Sequence, residues 1–277
     1  MPPEALYPSQ AVVILMIKLF DKDKAIIGMV HLLPLPGSPR FEGEEELRSR
    51  ALSDALALYH GGVDALLFEN YGDVPFSPGR VEPHVVAYMT SIIEEVRREV
   101  PLPVGVNVLR NDALAALAVA SAVRGEFIRV NVHTGAKLAW EGVIQGRAHE
   151  TLRYRAKLGS RVKIFADIAV KHASPLAEVS LEEEIASNVE RGLADAVILT
   201  GRTTGEPPGV EELERARLCT EVPVIVGSGL SVENCSKLLS VADAAIVGSS
   251  LKERGRASQP VSEERVRALM REVAKLR

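Results

Sequence analysis

The sequence predicts an α/β protein built as a (β/α)8 barrel, the fold class also called the TIM barrel. Eight short apolar runs recur along the 277 residues, and segments of helical periodicity lie between them. The runs are apolar on both faces, which is typical of parallel strands covered by helices. No Pro/Ser-rich or charged linker divides the chain. One barrel domain is therefore expected over residues 25–277, preceded by an extension over residues 1–24.

The eight predicted strands share a composition rich in Val, Ile, Ala and Leu. They are residues 25–32, 64–70, 103–109, 126–132, 162–168, 195–201, 223–229 and 243–250. Their alternation with helices favours right-handed βαβ units. The first strand contains GMVHLLP rather than GxGxxG, and no GxxxxGK[ST] occurs. A closed barrel is thus favoured over an open doubly wound sheet, and no nucleotide cofactor is predicted.

Helix start and stop signals separate the predicted strands. Residues 44–61 form an apolar stripe, and Gly61 with Gly62 supplies the left-handed stop that ends many helices. Ser180 precedes Glu183 by three residues, which is the spacing of a capping box. The residues predicted to begin helices are Asp112, Ser180, Ser231 and Ser262.

Composition and charge exclude several classes of protein. Hydrophobic residues make up 47% of the chain and charged residues 25%, which excludes a disordered or collagen-like protein. The net charge of −4 comes from basic and acidic residues mixed along the chain, so no basic stripe indicates nucleic acid as a partner. Two cysteines, Cys219 and Cys235, form neither a disulfide framework nor a zinc motif. A cytoplasmic protein is expected.

The extension contains an apolar run over residues 11–20, AVVILMIKLF. A membrane-spanning helix needs about 20 apolar residues, so no transmembrane segment is predicted, and the flanking residues do not resemble a signal peptide. Two interpretations stay open. The segment either plugs the barrel or contacts a partner, or it is an upstream extension and Met16 is the true start.

Polar residues at the carboxyl ends of the strands are the candidates for function, because βα loops carry the active sites of this fold class. Three of them are candidate acids and bases for proton transfer: His31, Glu69 and Asp167. Those predicted to bind the rest of a substrate are Asn70, Asn107, Asn131, Thr200 and Arg202. The alternative is a hydrogen-bonded polar layer that closes the barrel. The imidazole and carboxylate groups of these residues are suitable ligands for a divalent metal, but their spacing in the sequence matches no metal-binding motif, so no metal ligand is assigned.

Two Gly-Ser loops follow the seventh and eighth predicted strands. Their residues are Gly227, Ser228, Gly229, Gly248, Ser249 and Ser250. Glycines let backbone amides approach an anion, and a following helix N-terminus favours negative charge. The pattern resembles the phosphate-binding sequence of phosphate-binding TIM barrels, although glycines also permit tight βα turns without a ligand. A phosphorylated ligand is the favoured interpretation.

Three further loops carry residues of possible interest. The connection HTGAKLAWEGVIQGRAHE is long for a βα loop and contains Trp140, so we expect a lid or a contact between copies of a homo-oligomer. The loop after the sixth strand offers Arg202 to a phosphate, or is a solvated connection. Lys171 and His172 follow Asp167, and Lys171 is interpreted as loop charge rather than as a Schiff-base lysine.

Seven motifs together resemble the BtpA family, which includes the SgcQ-like proteins of bacteria and archaea. They are IIGMVHLLPLPGSP, GGVDALLFENYGDVPF, PVGVNVLRND, FIRVNVHTGA, FADIAVKHA, VILTGRTTGEPP and PVIVGSGLSVEN. The resemblance covers residues 25 to about 254. It implies a TIM barrel of poorly defined biochemistry, and a cyanobacterial member of the family is linked with biogenesis or stability of photosystem I.

The features together predict an enzyme acting on a small phosphorylated metabolite, with isomerase or lyase chemistry. The rival hypothesis is a non-catalytic biogenesis or stability factor for a protein complex, which has kept a barrel and an anion site. A third is a ligand-responsive partner of membrane complexes that binds through residues 11–20. The identity of the ligand does not follow from the sequence.

Overall fold

A computed structural model of the protein describes residues 23–168, 173–201 and 205–277. Eight parallel strands close into a barrel, which confirms the predicted fold class. The barrel strands are β1 (Ala25–His31), β2 (Ala65–Glu69), β3 (Val104–Asn107), β4 (Phe127–Val130), β7 (Lys163–Ile168), β9 (Ala196–Leu199), β10 (Val224–Val226) and β11 (Ala244–Val247). Each lies within a predicted strand, and the last two are the seventh and eighth of the barrel. Around the barrel they follow the order β1-β11-β10-β9-β7-β4-β3-β2.

Helices cover the outside of the barrel. They are α1 (Glu44–Gly61), α2 (Pro83–Glu99), α3 (Ala113–Ala122), α4 (Ala148–Lys157), α5 (Leu181–Ala186), α6 (Val210–Cys219), α7 (Cys235–Leu239) and α8 (Glu263–Val273). A π-helical turn, Ser187–Arg191, continues α5. Buried Leu, Val, Ile and Ala side chains form one core between the helices and the outer face of the strands. Among the described residues, no helix is both long and apolar enough to cross a membrane.

The long connection after β4 folds into a small antiparallel sheet. Strands β5 (Ala136–Ala139) and β6 (Gly142–Gln145) form a hairpin, and β8 (Ala173–Pro175) pairs with the other edge of β5. The hairpin tip contains Trp140 and Glu141. The sequence indicated an unusual loop here but not its strands.

Inside the barrel, alternate residues of the strands form a second, separate core. The rings of Phe127 and Phe165 stack with centroids 4.6 Å apart. Gly105 makes room for them, because a Cβ at that position would collide with the Phe127 ring. This apolar core fills the lower barrel, so a ligand can enter only above it.

A repeated acidic contact closes the opposite, amino-terminal rim. Every second barrel strand is preceded by an Asp or a Glu. The carboxylate of this acid accepts the backbone N–H of a partner residue at the start of the barrel strand that comes before it in sequence. The backbone N–H of the acid in turn donates to the backbone carbonyl of that partner residue. The four pairs are Asp64 with Ile26, Glu126 with Val104, Asp195 with Ile164, and Asp243 with Val224. Strands 1 to 8 are thereby joined two by two at this rim.

The helix caps agree with the sequence except at one place. Ser180 and Glu183 form the capping box, and Asp112 and Ser262 cap α3 and α8. The prediction for Ser231 is wrong, since α7 begins four residues later at Cys235. The Asn234 side chain accepts the Ser231 N–H at 2.8 Å and closes a turn before the helix.

The segment after β11 is tied to the barrel wall by a buried ion pair. Lys252 Nζ lies 3.0 Å from Asp54 Oδ2, and both side chains are almost fully buried. Asp54 also accepts the N–H of Val261 at 2.8 Å. Burial lowers the pKa of Lys252, and the charge of Asp54 opposes that shift. The contact holds the segment that follows the second Gly-Ser loop against α1.

Candidate functional site at the carboxyl end of the barrel

A cavity of about 430 Å³ opens at the carboxyl ends of the strands. All three predicted acid and base residues line it, and so do both Gly-Ser loops, residues 227–229 and 248–250. Asn131 is the predicted substrate-binding residue that also lines it. The structure thus brings together most of the residues that sequence reasoning selected.

Strand periodicity explains why these polar side chains face inward. Side chains two residues apart lie on the same face of a strand, so a polar residue two positions after an interior apolar residue also points into the barrel. His31 follows Met29, Glu69 follows Leu67 and Asp167 follows Phe165 in this way. The three apolar residues belong to the interior core. The polar residues therefore form the floor of the cavity directly above that core.

Asp167 is held by Arg129, which the sequence analysis missed. Arg129 Nε donates to Asp167 Oδ1 at 2.9 Å, and Nη2 donates to Oδ2 at 3.0 Å. Asn131 Nδ2 donates to Oδ2 at 2.8 Å. Burial lowers the pKa of Arg129, but the Asp167 charge and hydrogen bonds outweigh burial, so that the pKa is raised overall. With three donors on its oxygens, Asp167 is suited to holding Arg129 and Asn131 in place as an ionised group.

Glu69 lies in a different setting within the same cavity. Asn107 Nδ2 donates to Glu69 Oε2 at 2.6 Å, and Glu69 Oε1 lies 3.8 Å from His31 Nε2. The His31 ring packs on Tyr71 with centroids 4.6 Å apart. Burial, and secondarily the charge of Glu69, raises the pKa of Tyr71. The pair of Glu69 and His31 combines a carboxylate with an imidazole, which suits proton transfer.

The loop after β10 is shaped by its glycines. Gly229 has φ +71°, and a Cβ there would collide with the backbone of Pro207. A Cβ at Gly227 would collide with the side chain of Ile198. The Ser228 hydroxyl donates to the carbonyl of Glu206 at 2.7 Å. This serine therefore holds two loops together, and backbone amides are the groups that the loop offers to a ligand.

The loop after β11 differs in part from its prediction. It leads into two 3-10 turns, Ser249–Leu251 and Glu253–Gly255, and the next α-helix begins only at Glu263. The Ser250 hydroxyl donates to the carbonyl of Leu230 at 2.6 Å. Within the described ranges, the amides of Gly229, Ser249 and Ser250 donate no hydrogen bond to the protein. The α-helix N-terminus predicted to follow this loop directly is absent from this part of the described chain, but the amides are available for an anion.

Three predicted substrate-binding residues lie outside the cavity lining. Asn107 supports Glu69 from behind, and Thr200 is buried beside Gly227. Asn70 Oδ1 accepts the N–H of Leu109 at 2.7 Å, and Asn70 Nδ2 donates to Asp73 at 3.1 Å. These contacts hold βα loops in place. Arg202, Lys171 and His172 lie outside the described residues.

Several cavity residues were missed by the sequence analysis. They are Arg40, Tyr71, Phe76, Leu109, Arg110, Arg129 and Glu141. The sequence could have identified Arg129, because a lone arginine in the middle of an apolar strand needs a buried partner. The others lie on loops, where no periodicity indicates direction. Arg110 and Glu141 approach to 3.6 Å and connect the β3 loop with the hairpin tip.

Trp140 shows how the hairpin relates to the cavity. It lines the mouth while remaining 87% exposed. This position is compatible with either predicted role, a lid or a contact between copies of the chain. In the described part of the chain, no group of three or more His, Cys, Asp or Glu side chains is arranged to hold a metal ion.

Comparison with known sequences decides the family. A sequence profile of the BtpA family matches residues 22–275. The chain belongs to the BtpA family. Its relatives include the photosystem I biogenesis protein BtpA of Synechocystis sp., which is 46% identical over 92% of this chain and 90% of that protein. An uncharacterized protein of Archaeoglobus fulgidus is 47% identical over 90% of this chain and 98% of that protein.

Solved structures similar to this BtpA-family chain include TIM-barrel enzymes. Thiamine phosphate pyrophosphorylase from Pyrococcus furiosus superposes with a TM-score of 0.57 at 15% identity, covering 95% of this chain and 98% of that one. The (S)-3-O-geranylgeranylglyceryl phosphate synthase from Thermoplasma acidophilum, solved with its substrate sn-glycerol-1-phosphate, gives a TM-score of 0.59 at 13% identity over 94% and 97% of the two chains. At such identities the likeness establishes the fold alone.

Proposed function

We propose that this BtpA-family barrel is a cytoplasmic enzyme that acts on a small phosphorylated metabolite by proton transfer, as an isomerase or a lyase. The observation that carries the proposal is the composition of one cavity. One side of it is formed by the two Gly-Ser loops, in which the amides of Gly229, Ser249 and Ser250 donate to no acceptor among the described residues. The floor is formed by His31, Glu69, Arg129 and Asp167. An anion site beside an acid and base pair is what such chemistry requires.

The phosphate would bind to backbone amides of the two Gly-Ser loops, those of Gly229, Ser249 and Ser250 among them. Amides of glycine-rich βα loops attract anions without any cationic side chain. The synthase solved with sn-glycerol-1-phosphate shows that a barrel of this class accepts a phosphorylated substrate. The chain's own net charge of −4 fits local capture of the anion better than a broad positive field.

Glu69 would remove a proton from a carbon next to a carbonyl group, and His31 would deliver or receive the second proton. Glu69 is suited to be the base because its carboxylate lines the cavity, with Oε2 held by Asn107 Nδ2 at 2.6 Å and Oε1 3.8 Å from His31 Nε2. Arg129 would stabilise negative charge developing on the carbonyl oxygen, held in position by Asp167. This division separates proton transfer from charge stabilisation.

The phosphate site is tested by thermal shift with inorganic phosphate and a panel of phosphate esters. We expect them to raise the melting temperature of the wild-type protein and not of Ser249→Glu, which adds a negative charge beside the amides. Ser236→Glu makes the same change on the exposed face of α7 and should leave the shift intact. Gly227→Val is a poor probe because its side chain would clash with Ile198. No shift in the wild type across the panel would contradict the proposal.

Proton transfer is tested without knowing the product. Phosphorylated aldoses and ketoses are incubated with the protein in D2O, and deuterium incorporation beside the carbonyl is followed by NMR. Wild-type protein should catalyse exchange with at least one of them, and Glu69→Gln should not. Exchange that survives Glu69→Gln at the wild-type rate would remove Glu69 from this role.

The second candidate is a biogenesis or stability factor for a protein complex, as the name of the Synechocystis relative suggests. It predicts that Glu69→Gln, Asp167→Asn and His31→Ala leave stable binding to a complex and the cellular phenotype intact. The enzyme proposal predicts loss of the phenotype in folded variants. Homo-oligomer formation through the hairpin is compatible with either candidate function. Light scattering measures it.

A further inference from the structure

One buried acceptor in the cavity has no hydrogen-bond donor. Asn131 is 5% exposed and lines the cavity, and its Oδ1 is buried without a partner among the described residues. Buried side-chain oxygens in folded proteins are nearly always paired. An unpaired one at a cavity wall therefore indicates a donor that arrives with the ligand.

The orientation of the Asn131 amide follows from its neighbour. Asp167 Oδ2 accepts from Asn131 Nδ2 at 2.8 Å and from Arg129 Nη2 at 3.0 Å. An ionised carboxylate can only accept, so a rotated amide would place two oxygens against each other. Asn131 must present its NH2 group to Asp167. Oδ1 is consequently the atom left for the ligand.

We propose that Asn131 Oδ1 accepts a hydrogen bond from a hydroxyl group of the substrate, which makes hydroxylated phosphate esters, such as sugar phosphates, the substrate class. The inference rests on the proposed function, because it takes the phosphate to lie on the Gly-Ser loops. An amine is a poorer match, since a ligand cation would lie near the Arg129 guanidinium. A hydroxyl group donates to Asn131 without adding charge.

The size of the mouth sets the length of the ligand. In the barrel order, β4 is three strands from β10, which corresponds to about 14 Å along the wall. A ligand bound at both places must extend across the cavity, so a five-carbon ester is a better probe than a two-carbon one. The cavity of about 430 Å³ is large enough for such a molecule.

The experiment compares two esters of equal carbon number by isothermal titration calorimetry. Ribose 5-phosphate carries hydroxyl groups and n-pentyl phosphate carries none, and inorganic phosphate serves as the reference. Wild-type protein should bind ribose 5-phosphate about tenfold more tightly than n-pentyl phosphate, the effect of one satisfied hydrogen bond. Asn131→Leu, which removes the acceptor at similar volume, should bind the two esters equally.

Asn188→Leu is the matched control. Asn188 is also buried, donates to the carbonyl of Glu184 at 2.9 Å and has an unpaired Oδ1, but it does not line the cavity. This variant should keep the preference for ribose 5-phosphate. Asn131→Ala is the second variant, used if Asn131→Leu melts far below the wild type, and it should also lose the preference.

The outcomes separate the two proposals. Equal binding of both esters by the wild type, or a preference that survives in folded Asn131→Leu or Asn131→Ala, overturns the inference while phosphate binding stands. Failure of the wild type to bind all three probes, including inorganic phosphate, overturns the proposed phosphate site itself. Loss of the preference in the Asn131 variants alone supports the inference.

Discussion

Arg129 places a permanent charge among apolar side chains inside the barrel. A buried charge is tolerated when its partner neutralises it and saturates its hydrogen bonds. Asp167 neutralises the charge and accepts two of the guanidinium N–H groups, at 2.9 and 3.0 Å, and the pair is almost fully buried. The pair is therefore expected to affect the free energy of unfolding mainly when one partner is replaced and the other is left buried.

Arg129→Met should destabilise the protein by about 3–5 kcal/mol, because it leaves the Asp167 carboxylate buried without its cation. The double variant Arg129→Met/Asp167→Leu should recover most of the loss, since no charge is then buried. Urea unfolding followed by circular dichroism measures both. A single variant within about 0.5 kcal/mol of the wild type would show that Asp167 is solvated or neutral.

Sequence patterns identified His31 and Glu69 but not Arg129, and the reason is physical. The first two residues end their strands, where function is expected in this fold. Arg129 lies inside a strand, and its partner Asp167 is 38 residues away on β7. Only the barrel order, in which β7 pairs directly with β4 although the hairpin lies between them in sequence, brings the two together.

At the scale of elements, the β5–β6 hairpin is the part of the cavity wall that sequence could not specify. Its strands are four residues long, and a pattern that short does not distinguish a strand from a loop. The antiparallel register pairs Leu138 with Val143, both exposed, and leaves Trp140 at the tip. The loop's length and its tryptophan were the only signals available.

Trp140 should report ligand binding, since it is the one tryptophan of the sequence and lines the cavity mouth. An 87% exposed indole should emit at long wavelength, and closure of the hairpin over ribose 5-phosphate should shift the emission to the blue. Trp140→Phe should abolish the signal and leave the melting temperature unchanged. Calorimetric binding without any change in emission would mean that the hairpin does not approach the ligand.

The rim acids should contribute to stability through the strands they join. Asp195→Ala removes the acceptor of the buried Ile164 N–H, so we expect a loss of about 1–3 kcal/mol in chemical denaturation. Glu99→Ala, at an exposed position at the end of α2, is the control and should change stability by less than about 0.5 kcal/mol. Equal effects of the two changes would indicate that the rim contact is solvated.

At the scale of the whole molecule, the barrel followed from the sequence because eight buried strands and their helices repeat one simple pattern. The strand limits, from Ala25 to Val247, lie within the predicted ranges. The seventh strand is shorter than predicted, since Val226 ends it and the glycines that follow form the loop. The glycines at 227 and 229 were therefore correctly interpreted as loop residues, but the range predicted for the seventh strand, residues 223–229, also included them.

The global stability should depend on pH through His133. Burial lowers the pKa of His133, and its hydrogen bond with the Gly192 carbonyl, 2.7 Å from Nε2, opposes the shift only in part. The unfolded chain, in which histidine titrates near pH 6.5, then binds a proton more readily than the native state. This contribution is fully present above pH 6.5 and is lost as the pH falls toward the lower native pKa.

We therefore expect the free energy of unfolding of the wild type to fall between pH 7.5 and pH 5.5 more steeply than that of His133→Gln. Glutamine can still donate to the Gly192 carbonyl but does not titrate, so the variant removes the proton linkage and keeps the donor. The other histidines are present in both proteins, which makes the difference in slope specific to position 133. Parallel pH profiles, measured by urea unfolding at each pH, would show that His133 has the same pKa in the native and unfolded chains.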